Sequence, residues 1–193
     1  GKNGIKMSKS KGNVVSPDDL VRDYGCDSLR MYELFVGPPE LDAEWDDRGI
    51  DGVNRFLKRL WNLLMESKDK DVKATKEMIK LRHRMVYDIT TRLESFSLNT
   101  VISGFMEYNN KFIEVAKKEG GIDKETLETI AVLISPFAPH FAEEMWEQLG
   151  HGETVFKAGW PTYDESQMKD DEIEIPVQIN GKTKAVISIS AEP

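Results

Sequence analysis

The sequence has few cysteines and histidines, and it has no long apolar run. Its one cysteine, Cys26, excludes an internal disulfide and a cysteine-based zinc site, and it favours a reducing compartment. No stretch approaches the roughly 18–20 apolar residues that a membrane helix needs, and no secretory signal pattern occurs. We therefore expect a cytoplasmic protein that does not act at a membrane.

Acidic residues outnumber basic ones. The 193 residues carry 26 Lys and Arg against 34 Asp and Glu, which gives a formal net charge of −8. A protein that wraps nucleic acid is normally basic overall, so this balance argues against that class. It still permits a local basic surface. The glycine patterns typical of Rossmann and P-loop nucleotide sites are missing as well.

Regular apolar stripes indicate the fold. They predict four long amphipathic helices, over residues 50–65, 79–93, 98–116 and 127–149, the last interrupted at Pro136 and Pro139. The short links between them predict an antiparallel, up-and-down bundle. Ahead of it, Ser16 and Asp27 are placed to cap two short helices that Gly25 separates.

The end of the sequence changes character. Two β-rich runs flank Asn180-Gly181, the dipeptide most typical of a tight hairpin turn. A two-stranded hairpin is marginal alone, so we expect it to begin a small α+β domain. The sequence also opens without an initiator methionine, so we expect a piece of a longer protein.

These patterns predict a mainly α protein in three parts. The parts are residues 1–45, a basic loop with short connecting helices; 46–152, the helical bundle; and 153–193, a connector and the β-hairpin.

The first part concentrates positive charge in a short loop, within the stretch GIKMSKSKGNVV. Lys6, Lys9 and Lys11 alternate there with serines and glycine, which let a backbone approach an anion closely. Lysine binds phosphate as a point charge, so such a loop can close over a polyphosphate. We expect Asn13, beside Gly12, to accept a positive φ. On residue types alone, a solvated basic tail is an open alternative.

The order of residues in this loop is distinctive. KMSKS, residues 6–10, resembles the signature loop of class I aminoacyl-tRNA synthetases letter for letter. The longer segments FVGPPELDAEWDDRGIDGVNRFLKRLWNLL and LISPFAPHFAEEMWEQLG are similar to leucyl-tRNA synthetases of the bacterial type, and the resemblance covers essentially the whole chain. Valyl and isoleucyl enzymes share the loop and the bundle, but they differ after GPP. The family usually has alanine where Cys26 stands.

The resemblance implies a leucine–tRNA ligase. Such an enzyme activates leucine with ATP to leucyl-adenylate and then transfers the leucyl group to tRNA(Leu); a monomer is expected. Lys9 and Lys6 correspond to the catalytic lysines at the ATP phosphates, and Met7, Ser8 and Ser10 complete this part of the ATP site. Mg²⁺ accompanies ATP in the full enzyme, and we expect no metal site of this chain's own.

The resemblance also implies what is missing. The family's upstream histidine motif has no counterpart, because His83, His140 and His151 stand in other contexts. The chain is therefore expected to be inactive alone. Two alternatives stay open: another class I synthetase, for valine, isoleucine or methionine, or a tRNA-binding module without catalysis. The intact Lys6 and Lys9 argue against the module, which has no need of a phosphate-binding loop.

Two basic clusters are candidates for binding tRNA. The first falls at the spacing of one face of the second long helix, and the second lies on the preceding helix. Their residues are Lys73, Lys76, Lys80 and Arg84 in the first, and Arg55, Lys58 and Arg59 in the second. We predict contacts to the phosphate backbone, with an ordinary solvated helix face as the alternative. His83 is predicted to be a packed or surface histidine rather than a catalytic one, and His140 is predicted to be structural. Trp160 is predicted to anchor the connector.

Overall fold

The computed structural model describes residues 4–38, 41–46, 48–169, 172–179 and 182–190. Within these ranges most of the chain is helical, as the sequence predicts. The helices are α1 (Pro17–Tyr24), α2 (Cys26–Phe35), α3 (Gly49–Ser67), α4 (Lys76–Glu94), α5 (Leu98–Glu119), α6 (Lys124–Ile134) and α7 (Pro139–Gln148). The predicted mainly α class and the four long helical segments are confirmed. No helix in the described ranges is both long and apolar enough to cross a membrane.

Helix α5 lies at the centre of the bundle. It packs against α2, α3 and α4, and α4 packs in turn against α6. The predicted apolar stripes face these contacts, and Ile50, Leu64, Met85, Ile102 and Phe112 are all essentially inaccessible to solvent. Each such side chain contributes about 1.5–3 kcal/mol when it is fully removed from water. The bundle is therefore a well-formed support for the polar residues on its surface.

The helix ends follow local sequence signals. The Thr75 hydroxyl accepts a hydrogen bond from the Met78 amide at 3.3 Å at the start of α4. Gly120, with φ 81°, ends α5, because a left-handed residue there suits glycine. Pro139 opens α7 in its first turn. Ser16 holds the N-cap position of α1, as predicted, with extended backbone, but its hydroxyl makes no capping bond.

A connector follows α7 and packs back on the bundle. It contains two short 3-10 turns. The first, Val155–Lys157, contacts α6 and α7, and the second, Glu165–Met168, contacts α4. Between them, Trp160 donates its indole N–H to the Thr90 hydroxyl of α4 at 3.0 Å. The predicted anchoring role of Trp160 is thereby confirmed.

Two strands, β1 (Glu172–Ile179) and β2 (Lys182–Ser190), pair antiparallel beyond the connector. Ile175 lies opposite Ile187, and the register shifts between Val177 and Gln178. The turn at residues 180–181 lies outside the described residues. The tight hairpin, and the α+β domain that it would begin, stay predictions.

Candidate functional site

The basic loop has a defined local structure. Lys9–Lys11 form one 3-10 turn, in which the Lys11 amide donates to the Ser8 carbonyl at 3.1 Å. The Gly12 amide donates to the Lys9 carbonyl at 3.2 Å, and Gly12 has φ 63°. A left-handed residue at this point costs glycine little, so the turn reverses the chain without strain.

Asn13 closes the loop with its side chain. Its Oδ1 accepts a hydrogen bond from the Ser8 amide at 2.9 Å, and its Nδ2 donates to the Lys6 carbonyl at 3.4 Å. The prediction of a positive φ at Asn13 is wrong, because Gly12 takes that conformation and Asn13 serves as a latch. The hydroxyls of Ser8 and Ser10 are 3.1 Å apart, which further fixes the turn.

The side chains of the loop lysines are available to bind a ligand. Lys6, Lys9 and Lys11 are exposed, and within the described residues none of their side-chain ammonium groups makes a hydrogen bond or an ion pair. Met7, between them in the signature, is half-buried. The fold thus closes the loop backbone but leaves three ammonium groups open, an arrangement that suits a polyphosphate. Among the described residues, no group of His, Cys, Asp and Glu is placed to hold a metal ion.

The loop-bearing segment is joined to the bundle through Asp27. Its carboxylate accepts the Phe141 amide at 2.6 Å, and its other oxygen lies 3.0 Å from His140 Nδ1. These partners lie in the first turn of α7, so Asp27 caps α7 from another helix. The prediction that Asp27 caps its own helix is wrong, because Gly25 holds the N-cap position of α2. His140 is therefore structural, as predicted.

Other polar contacts strengthen the same joint. Arg30 of α2 donates to the Pro136 carbonyl at 3.2 Å, at the corner between α6 and α7. Asn54 of α3 donates both to the Tyr24 carbonyl and to the Ser28 hydroxyl, each at 3.2 Å. The segment that follows the basic loop is thus held on two sides of the bundle, and this fixes where the loop ends.

The basic cluster predicted for α4 is only partly assembled. Lys73 lies before the helix rather than on its face, and it pairs with Asp71 at 2.9 Å, so this placement was wrong. Lys76, Lys80 and Arg84 do lie on α4. However, Arg84 donates to the Met168 carbonyl of the connector at 2.7 Å, and both lysines also interact within the protein.

The smaller cluster on α3 is more open. Arg55, Lys58 and Arg59 are all exposed, at positions that share one face of the helix. Within the described part of the chain, none of the three side chains makes a hydrogen bond or a salt bridge. The sequence predicted both clusters as tRNA contacts, and the family resemblance slightly favoured the one on α4. In the structure the residues of the α4 cluster interact within the protein, whereas the side chains of the α3 cluster are open to solvent.

The connector contacts His83, which the sequence predicted to be packed or on the surface. The Asp164 amide donates to His83 Nδ1 at 3.1 Å. Burial, and after it the nearby Arg82 guanidinium, lowers the pKa of His83 below its usual range. The neutral imidazole is the form that accepts this bond, so His83 helps to hold the connector on α4 and plays no part in the loop chemistry.

Two family models match the chain. One, described as "Anticodon-binding domain of tRNA ligase", matches residues 75–192, which is more than half of the chain. The chain belongs to this domain family. The other, "tRNA synthetases class I (I, L, M and V)", matches residues 1–46, which include the basic loop. Helix α3 lies between the two matched ranges, although it packs in the bundle with the helices of the anticodon-binding domain. The predicted boundaries at residues 45 and 152 stay predictions.

The chain is similar to leucine–tRNA ligases of several bacteria. The chain is 47% identical to a leucine–tRNA ligase of Fervidobacterium nodosum and 45% identical to one of Thermosipho melanesiensis, over 99% of its own length in each case. It spans about a quarter of the length of these relatives.

A solved structure is similar too. It is the LeuRS of Agrobacterium radiobacter K84 in a ternary complex with tRNA and LeuAMS. The TM-score is 0.81 at 28% identity, covering 98% of this chain and 27% of that one. The likeness extends to the bundle and the segment that carries the basic loop, so the resemblance seen in the sequence is confirmed at the level of family and fold.

Proposed function

We propose that this chain acts as part of a leucine–tRNA ligase. The complete enzyme activates leucine with ATP and transfers it to tRNA(Leu). In the first step a leucine carboxylate oxygen bonds to the α-phosphorus of ATP, the bond from that phosphorus to the bridging oxygen breaks, and pyrophosphate leaves. In the second step a ribose hydroxyl of the tRNA takes the leucyl group and AMP leaves. The observation that carries this proposal is a closed KMSKS loop with unpartnered lysines.

In this proposal Lys9 and Lys6 bind the phosphates as charge builds on departing pyrophosphate. Met7, Ser8 and Ser10 shape the same site around ATP, which enters with Mg²⁺ as a substrate. A charge-assisted hydrogen bond contributes about 1.5–3 kcal/mol. If it forms only in the transition state, that is about one to two orders of magnitude in rate per lysine. The latch by Asn13 supports the role, because a closed turn needs less ordering when ATP binds.

The bundle, in this proposal, contacts tRNA(Leu) through its exposed cations. The candidates are Arg55, Lys58, Arg59, Lys73, Lys76, Lys80 and Arg84. Contacts of this kind position the RNA backbone and do not read bases. We propose the cytoplasm as the place of action, since ATP, leucine and tRNA are all present there. A monomeric state remains an expectation.

Pyrophosphate exchange tests the proposal directly. A full-length ligase that contains this chain should exchange pyrophosphate into ATP with leucine, and not with isoleucine, valine or methionine. Lys9→Ala should lower kcat by about tenfold or more, because a transition-state contact is lost. Lys11→Ala is the matched control: Lys11 is equally exposed and unpartnered but lies outside the signature, so its removal should change kcat by less than about threefold.

The alternatives give different results. The class I family model covers isoleucine, leucine, methionine and valine enzymes. Exchange with one of the other three amino acids would therefore move the assignment within this class. A folded full-length protein without any exchange would instead support a tRNA-binding module. Equal losses in Lys9→Ala and Lys11→Ala would mean that the signature lysine has no special role.

A further inference from the structure

The exposed face of α3 forms a ridge between two grooves. Lys58, Arg59 and Asn62 lie three, four and seven residues after Arg55, which places all four on one side of the helix. Lys58 lines a groove toward α7, Arg59 lines a groove toward α5, and Asn62 lines both. The three cations of the ridge therefore project outwards from the bundle.

The groove toward α5 gathers more positive charge. It has a volume of about 370 Å³ and contains Arg59, Lys70 and Lys117. Lys70 donates to the Gly120 carbonyl at 2.6 Å, so its charge is held at one end of the groove. Glu66 is the acidic residue in the lining.

A nearby carboxylate shows that the cations of α3 and α5 converge. Lys117 bonds to Glu114 at 2.7 Å on the surface of α5. This hydrogen bond, followed by the fields of Lys118 and Arg59, lowers the pKa of Glu114. Two helices that are far apart in sequence thus bring their cations to one place. An exposed Lys–Glu pair of this type is weak, so Lys117 can exchange its carboxylate for a phosphate at little cost.

We propose that this α3–α5 basic surface, made of Arg55, Lys58, Arg59, Lys70, Lys117 and Lys118, is the main contact for the phosphate backbone of tRNA. The inference rests on the proposed function, which makes tRNA the partner. It deepens that function by selecting one of the two predicted clusters and extending it with residues of α5 and of the loop after α3.

The contrast with α4 supports the selection. A cation that is already bonded within the protein must give up that bond before it can bind a phosphate. Arg84 is held by the connector in a half-buried contact, whereas the side chains of Arg55, Lys58 and Arg59 make no hydrogen bond or ion pair within the described residues. The other cations of the surface, Lys70, Lys117 and Lys118, have partners in Gly120, Glu114 and Glu77, but these contacts are exposed to solvent and therefore weak. The exposed Lys73–Asp71 pair is weak for the same reason, so the contrast rests on Arg84. For a chain with net charge −8, a local patch of this kind is required for RNA to approach at all.

The test uses the 193-residue chain and a leucine-accepting tRNA transcript at about 50 mM salt. Amide NMR spectra, which report even weak binding, should show shifts concentrated on α3 and on the end of α5. Three double variants follow: Arg59→Gln with Lys117→Gln, Lys76→Gln with Lys80→Gln, and Lys124→Gln with Lys157→Gln. Each removes two positive charges from exposed or half-exposed positions, so the overall charge change is matched.

We expect the Arg59/Lys117 variant to bind about tenfold or more weakly, with a salt slope that is lower by about 1.4–1.8, or 0.7–0.9 for each lost phosphate contact. The Lys124/Lys157 control should stay within about twofold of the unmodified chain, which is the effect of net charge alone. The Lys76/Lys80 variant should lose less than about threefold, since those lysines interact within the protein.

Three results would overturn the inference. They are shifts confined to α4, a loss in the Lys76/Lys80 variant equal to that of Arg59/Lys117, and no shifts at all at low salt. These outcomes are separate from those of pyrophosphate exchange, which involves ATP and leucine but not the basic surface. An enzyme that exchanges with leucine while this surface ignores tRNA would retain the proposed function and reject the proposed contact.

Discussion

The lysines of the basic loop and Arg82 of the bundle carry the same charge in opposite surroundings. Lys6 and Lys9 are exposed and unpartnered within the described residues, whereas Arg82 is only 8% exposed. Arg82 bonds to Asp123 at 3.3 Å and to Glu125 at 3.0 Å, and so joins α4 to α6. The difference separates charges that hold the fold from charges that remain available to a ligand. Substitutions in the two regions should therefore affect different measurements.

Asp123→Ala should produce the largest effect on stability. Asp123 caps α6, accepting from the Thr126 amide at 3.1 Å and from its hydroxyl at 2.7 Å, and it is also the buried partner of Arg82. Its removal leaves a buried guanidinium short of a partner, so we expect a loss of about 3–4 kcal/mol in the free energy of unfolding. Urea denaturation of the chain measures this loss.

The matched control is Glu125→Gln. Glu125 contacts the same guanidinium, but its side chain is 71% exposed. Its substitution should therefore cost less than about 1 kcal/mol. If both variants lost the same small amount of unfolding free energy, the Arg82 pairs would contribute no more than exposed ion pairs do. The distinction between the charge of Arg82 and the charges of the loop lysines would then be wrong.

Asp27→Ala comes next, because it breaks the joint between the two regions. The carboxylate is buried and bonds to the Phe141 amide and to His140, which leaves a helix start uncapped when it is lost. We expect about 2 kcal/mol less stability by urea denaturation. Asp27→Asn keeps an acceptor and should lose less than half of that. A full loss in the asparagine variant would assign the effect to charge rather than to capping.

Asp27 also shows where prediction from the sequence ended. Gly25 and Asp27 correctly indicated that a helix starts here, because helix-start signals are local, although Asp27 does not cap this helix. Its partner lies 114 residues away, and only the packing of α2 on α7 brings the two together. The periodicity of apolar residues predicts which face of a helix is buried, so it identified the helices. It does not predict which other element covers that face, so it could not identify this contact.

The candidate site could likewise be predicted only in part from the sequence. KMSKS could be recognised from five letters, and the structure adds the latch by Asn13 and the turn at Gly12. The two basic clusters looked alike in the sequence, since spacing alone places charges on a face. What separates them is the connector, which reaches back to Arg84 from residue 168, and the approach of Lys117 to Arg59 across α3 and α5. Both are tertiary contacts without a local signal.

Asn13→Ala tests the role of the basic loop in the same comparison. It removes the bonds to the Ser8 amide and the Lys6 carbonyl, which are the contacts that close the loop. In the full-length enzyme we expect kcat for pyrophosphate exchange to fall by about threefold to tenfold, because an open loop must be ordered in each cycle. The midpoint of thermal unfolding should not move, since no buried group changes. A large fall in that midpoint with normal exchange would make Asn13 structural.

The smallest effect on stability is expected at His83. Its side chain is half-buried, so it lies between the exposed loop lysines and the buried Arg82. Its pKa is lowered from the usual 6.5, mainly by burial and also by Arg82, while Asp164 and Glu125 act in the opposite direction. Above about pH 6.5 the imidazole is neutral in both the folded and the unfolded chain, and its bond from the Asp164 amide is intact. Below this pH the unfolded chain takes up the proton first, so the contribution of His83 is lost as the pH falls toward the folded pKa.

Urea denaturation at several pH values between about 7.5 and 5 measures this loss. His83→Gln, which cannot titrate, should show a flatter fall in stability, and the difference between the two curves isolates His83 from the carboxylates that titrate lower. Fluorescence of Trp160, which the connector fixes against Thr90, should change over the same interval if the connector loosens when His83 is protonated. Parallel curves for both proteins would mean that His83 contributes by packing alone, like the buried core, and not by its protonation state.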